Sequence, residues 1–170
     1  PLGPFTKGES LGFTLQMWLS AKGKGTYIVD KNNSKLDLEF ENLIPNGTYT
    51  VWCSRLTFPP NPAINDAPCG NPDGSENIFH PDKEGNANFV LEMNKLEASS
   101  EKTVSVIAIA YHSDNITHGS SPGEFGKDTH IQIFSIIPAI NCMQKATIKR
   151  DDSITSALRV YDNSMLTNLE

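Results

Sequence analysis

Short apolar runs separated by turn-forming clusters dominate the chain from Thr26 to Ile137. Leu36, Leu38 and Phe40 alternate with Asp37, Glu39 and Glu41, the pattern of a strand with one buried and one wet face. Ala87, Phe89, Leu91 and Met93 repeat that pattern against Asn88 and Glu92. Thr48–Ser54 places Tyr49, Val51 and Cys53 on one face and Thr48, Thr50 and Trp52 on the other. Thr26–Val29 and Ile78–Phe79 read as shorter strands. Two continuous runs, Val104–Tyr111 and His130–Ile137, are short and rich in β-branched residues, which predicts strands buried in a core rather than helices.

Lys22–Gly25, Lys31–Ser34, Pro45-Asn46-Gly47 and Pro81–Asn86 carry turn chemistry. Ser10–Ala21 supports two patterns. Leu11, Leu15, Trp18 and Leu19 fit one helical face, with Ser10 as cap and Gly23 as terminator, while Leu11, Phe13, Leu15, Met17 and Leu19 alternate with period two. A short N-terminal helix is the reading adopted. Phe58–Asn77 reads as a long loop punctuated by Pro59, Pro60, Pro62, Pro68 and Pro72; loops of this length inside a domain are functional, bridged or mobile.

Repeated short strands with Gly, Pro and Asn turns predict an all-β, antiparallel, jelly-roll-like sandwich. The expected organisation is an N-terminal extension over residues 1–10 able to act as a donor strand, a sandwich over 11–138, and a C-terminal extension over 139–170. In the last segment Thr147–Lys149 and Ala157–Tyr161 read as edge strands, or Ser153–Leu169 as a weak helix. Such a segment adds to its own sheet or to a neighbour's open edge.

The net charge of −6 argues against non-specific binding to nucleic acid or anionic lipid, and no apolar run reaches the roughly 20 residues of a membrane-spanning helix. Hydrophobic content of 38% is that of an ordinary folded domain rather than a disordered chain. The chain opens at Pro1 without Met or a signal peptide, as where a leader or other leading residues have been removed. Of the three cysteines, Cys53 and Cys69 border the same Pro-rich loop and are the natural disulfide pair, leaving Cys142 free.

Chemistry-bearing residues gather between the two most apolar runs, at Ser113–Thr129 and its flanks. His112, His118 and His130, with Asp114 or Asp128, make a candidate zinc or copper site if the strand ends converge them. The spacing lacks a tight ligand pair of the CxxC or HExxH kind, and Cys142-Met143 lacks the nearby His of a blue-copper centre. No GxSxG elbow, P-loop or dinucleotide fingerprint occurs. Asn71–Glu76 lacks the ligand spacing of a calcium loop. Trp18, Trp52 and Tyr111, if exposed, would be sugar-stacking platforms. Asn32, Asn46 and Asn115 head N-glycosylation sequons in turns, at a frequency that chance alone yields.

The stretches Leu43–Trp52, Ile109–Asp114, Ser121–Gly126 and Thr129–Phe134 resemble a group of uncharacterised secreted bacterial and archaeal β-sandwich proteins. The resemblance spans roughly Ser10 to Pro138 and implies an exported β-rich domain, with no assigned activity to carry over. The resulting expectation is an extracellular or cell-surface structural subunit. It would associate with itself, as a homo-oligomer or filament built by strand addition, or with another surface protein, and would need no cofactor. The alternatives are a small secreted copper- or zinc-binding sandwich and a carbohydrate-binding module.

Overall fold

The computed structural model describes residues 12–60, 62–137 and 145–149. Among these residues a short helix, α1 (Leu15–Leu19), precedes nine strands: β1 (Lys22–Asp30), β2 (Asn33–Glu41), β3 (Thr48–Thr57), β4 (Ala63–Asn65), β5 (Ile78–Phe79), β6 (Ala87–Asn94), β7 (Thr103–His112), β8 (Thr129–Ile137) and β9 (Lys145–Lys149). They form two sheets, ordered β6-β2-β1-β9 and β4-β3-β7-β8, with β5 also on β3. Every strand pairing is antiparallel, as the period-two patterns predicted.

The facing surfaces meet in one core. Tyr27, Leu36, Leu38 and Phe40 from the first sheet pack with Tyr49, Val51, Ile107, Ile109 and Ile133 from the second. The acidic residues between the apolar positions of β2 account for its wet outer face. β7 differs, because both of its faces are buried. Ile107, Ile109 and Tyr111 enter the main core, while Ala108 and Ala110 join Trp52, Ile131 and Phe134 on the outer side. Small alanines there let the neighbouring indole and phenyl rings cover the strand.

A bulge breaks the β7–β8 register: Ile109 faces Ile133, but Ala110 faces Ile131, leaving Gln132 as the extra residue. Its side chain accepts from the Tyr49 hydroxyl at 2.6 Å and donates to the Trp18 carbonyl at 3.0 Å. The Tyr49 oxygen also accepts from the Ile44 amide. This buried polar knot joins the second sheet, the Ile44 turn and α1. Trp18 then stacks on Phe13 and meets Tyr111 and His130 edge-on.

Several boundaries differ from those the local sequence suggests. Lys22–Gly25 is the start of β1, paired with Gln-free, acidic β2 from Lys22–Glu41 onward, rather than a turn. The long partner strand and the Lys24–Glu39 ion pair at 2.8 Å outweigh the turn propensity of Gly23 and Gly25. Gly25 suits this crossing, since a Cβ there would lie 2.3 Å from the Asp37 carbonyl oxygen. Helix α1 is capped by Thr14, whose hydroxyl accepts from the Met17 amide, and ends at Ser20 rather than running from Ser10 to Gly23.

The Pro-rich segment is also more ordered than a free loop. It contributes β4 and runs along β3, where the Cys53 amide donates to Ala67 and the Cys69 amide to Val51. Cys53 and Cys69 meet at disulfide-bonding distance with Cα atoms 5.0 Å apart, as expected from the sequence. From the C-terminal extension, β9 pairs with β1, so this piece extends its own domain's sheet. The predicted donor segment 1–10, Cys142 and residues 150–170 lie outside the described residues.

Replacing Cys53 and Cys69 together with Ala should lower stability by about 3 kcal/mol, the value for a closed loop of this size. Urea unfolding under non-reducing conditions reads this out. An unchanged midpoint would show that the pairing of residues 67–69 along β3 holds the segment without the bridge.

Candidate metal centre

The loop that carries the ionisable residues leaves the second sheet at His112, the last residue of β7, and returns at Thr129, the first of β8. These residues are register partners, and His112 also pairs with Thr48 of β3. Alternation therefore places the His112 side chain on the outer face, between Thr50 and Thr129. The ring is fully buried at 0% exposure. Its Nε2 lies 2.7 Å from Thr50 Oγ1, an oxygen that also accepts from Trp52 Nε1 at 2.7 Å. Its Nδ1 lies 3.4 Å from Thr129 Oγ1, whose hydroxyl donates to the Pro122 carbonyl.

The loop then folds back over this ring. Asn115 adopts a left-handed φ of 59°, and its amide donates to the His112 carbonyl. One Asp114 oxygen, Oδ1, caps the turn by accepting from the Ile116 amide. The other, Oδ2, is turned to His118 Nε2 at 3.3 Å. Asp128 Oδ1 lies 3.7 Å from the same nitrogen, accepts from the Glu124 amide at 2.7 Å and, 2.9 Å from Thr129 Oγ1, shares that hydroxyl's hydrogen with the Pro122 carbonyl. Gly123 makes this closure possible: at its φ of +90°, a Cβ would come 2.5 Å from Asp128 Oδ1 and 2.8 Å from His118 Cδ2.

Ligand atoms of His112, Asp114 and His118 all lie within 4.8 Å of one another. Donors around one tetrahedral zinc ion are about 3.4 Å apart, so modest side-chain rotation would bring these three into one coordination sphere. His118 Nε2 is shielded from solvent, and its polar neighbours among the described residues are the Asp114 and Asp128 carboxylates, neither in hydrogen-bond geometry with it. A buried imidazole nitrogen facing carboxylate oxygens is what a bound cation would satisfy.

Electrostatics favour the metal-binding protonation states. Burial, reinforced by the neighbouring His118, pushes the pKa of His112 down to about 4, so its ring is neutral at neutral pH. Burial works against ionisation of Asp128, yet the Glu124 amide, the Thr129 hydroxyl and His118 together hold its carboxyl below the usual range.

His130 does not join the cluster, contrary to the expected three-histidine set. Thr129 shares the face of His112, so the next residue points to the opposite face, where His130 pairs with Tyr111 and packs edge-on to Trp18. Its Nε2 lies 3.1 Å from Ser113 Oγ. Burial lowers the pKa of His130 as well. Thr50, Thr129 and Gly123 escaped the sequence reading, because their roles arise from cross-strand register and close approach rather than from any motif.

Two of the three stacking platforms fail on burial, and Trp18 is only partly buried. Trp52 is 2% and Tyr111 7% exposed, and Trp18 stacks on Phe13. An open groove of about 570 Å³, bordered by Asp30, Lys35, Glu76 and Glu92, has no aromatic lining. In the Asn71–Glu76 turn, Asp73 Oδ1 accepts from the Ser75 amide and hydroxyl, an Asx turn satisfied internally. Asn32, Asn46 and Asn115 are exposed in turns.

No protein-family model, curated protein or solved structure matches the chain. The chemistry of the cluster therefore rests on its own geometry.

His112 gives the metal-free protein a defined pH dependence. The unfolded chain takes up a proton near the ordinary value of 6.5, the folded chain only near 4, so acidification across that window favours unfolding. Stability present above pH 6.5 should fall by about 3 kcal/mol by pH 4 from this group. Urea midpoints in EDTA at pH 7 and 4.5 measure the loss. The His112 ring-proton NMR shift should stay flat above pH 5; a midpoint near 6.5 would contradict the buried placement.

Proposed function

We propose that this chain is a secreted β-sandwich that binds a zinc or copper ion through His112, Asp114 and His118. The convergence of their ligand atoms within 4.8 Å carries the reading. Two imidazole nitrogens and one carboxylate oxygen form a borderline donor set suited to Zn(II) or Cu(II), and three protein ligands leave a further position for water. Asp128 Oδ1, 3.7 Å from His118 Nε2, adds a second carboxylate beside the set. The Cys53–Cys69 pair supports an oxidising, extracellular setting. Among the described residues no helix is long and apolar enough to cross a membrane.

Elemental analysis and calorimetry with zinc test this reading. The wild type should bind one equivalent, His118→Ala and Asp114→Ala should lower affinity at least tenfold, and His130→Ala should bind as the wild type does. Failure of the wild type to take up zinc or copper, or equal damage from His130→Ala and His118→Ala, would overturn it.

A second reading, self-association, draws support from the outer face of β8. Ile136 is exposed and Ile131 and Phe134 only half-buried, an apolar strip on the strand that ends the second sheet. Sedimentation velocity at rising concentration should show assemblies that Ile136→Lys disperses. A concentration-independent monomer would remove this reading.

A further inference from the structure

We propose that Thr50 is a positioning residue that selects Nδ1 of His112 as the coordinating nitrogen; this rests on the metal-binding reading above. The two edges of the His112 ring face different surroundings. Nε2 points into the sheet, 2.7 Å from Thr50 Oγ1. Nδ1 points to the loop, toward Thr129 Oγ1, which is 2.9 Å from Asp128 Oδ1, itself 3.7 Å from His118 Nε2. The loop-facing nitrogen is therefore on the side of the other ligands.

A neutral imidazole that gives one nitrogen to a metal must carry its proton on the other, and that N–H needs an acceptor when buried. Thr50 Oγ1 is that acceptor. A hydroxyl oxygen has two lone pairs. Trp52 Nε1–H takes one of them at 2.7 Å, which leaves the second for an N–H on His112 Nε2, 2.7 Å away. The Trp52 indole holds the threonine oxygen in place and thereby the orientation of the ring. The Nδ1 contact with Thr129 is long at 3.4 Å, and the Thr129 hydroxyl already donates to Pro122, so little is lost when Nδ1 turns to an ion.

Residues 48–52 of β3 and the loop 113–128 are thus parts of one centre, although more than sixty positions separate Thr50 from His112. Trp52 becomes a built-in reporter, since its N–H is two hydrogen bonds from the metal-binding ring.

Long-range ¹H–¹⁵N correlation spectra of the full chain, with and without zinc, test the assignment directly. With zinc, His112 Nδ1 should show the shift of a metal-bound nitrogen and Nε2 that of a protonated one. Thr50→Val, which removes the acceptor at nearly constant volume, should weaken zinc binding about 10- to 100-fold, and Thr50→Ser should restore it. Near-UV circular dichroism checks that Thr50→Val folds, and the wild-type spectra decide the question if it does not. Coordination through Nε2, or wild-type affinity in a folded Thr50→Val, would overturn this proposal while leaving the metal site standing. No zinc uptake by the wild type would overturn both.

Discussion

The double burial of β7 is the constraint on which the rest of this structure depends. A strand covered on one side only needs polar residues at every second position; β7 carries Val106, Ala108, Ala110 and His112 outward and is closed there too. It must be flanked on both edges, and β3 and β8 supply that flanking. Its outer face must be covered, and Trp52, Ile131 and Phe134 do so over the two alanines. At its end the apolar cover gives way to His112, Thr50 and Thr129, so the candidate centre begins where the burial of β7 passes from hydrocarbon to polar partners.

That transition explains why a loop this polar is held in one shape. Asp114 and Asp128 each satisfy backbone amides of the loop itself, through Ile116 and Glu124, and each presents an oxygen to His118. The carboxylates therefore shape the loop and face its buried nitrogen at once. Gly74 and Gly123 are the places where the chain comes too near its neighbours for a side chain. A Cβ on Gly74, in the Pro-rich segment, would lie 2.2 Å from the Gly119 carbonyl oxygen. The disulfide-tied segment and the histidine loop thus buttress one another by backbone contact.

The half-wet strands β2 and β6 were legible because charged residues alternate with Leu and Phe, and the turn at Pro45–Gly47 because its residues permit little else. The disulfide was legible from two cysteines flanking one loop. The start of β1 was not, since Gly23 and Gly25 read as turn residues until a partner strand exists to bond them. Nor was β4, three residues whose strand character comes wholly from pairing with β3. For the site, His112, Asp114 and His118 are close in sequence and their convergence follows from a turn at Asn115. His130 falls outside that cluster, because it follows Thr129 on an alternating strand and so takes the opposite face from His112.

The amino-acid sequence by itself determined that this is an all-β protein, which residues of β2 and β6 alternate inward, where the chain turns at Pro45–Gly47, and which loop holds its ionisable groups. These are local consequences of side-chain chemistry and of the two-residue period of an extended backbone. Only the tertiary structure decided that His112 and His130 lie on opposite faces, that Thr50 and Trp52 stand behind the buried imidazole, and that β9 joins the sheet of β1. Those outcomes depend on register between strands distant in sequence, and a shift of one residue in register moves every side chain to the other face.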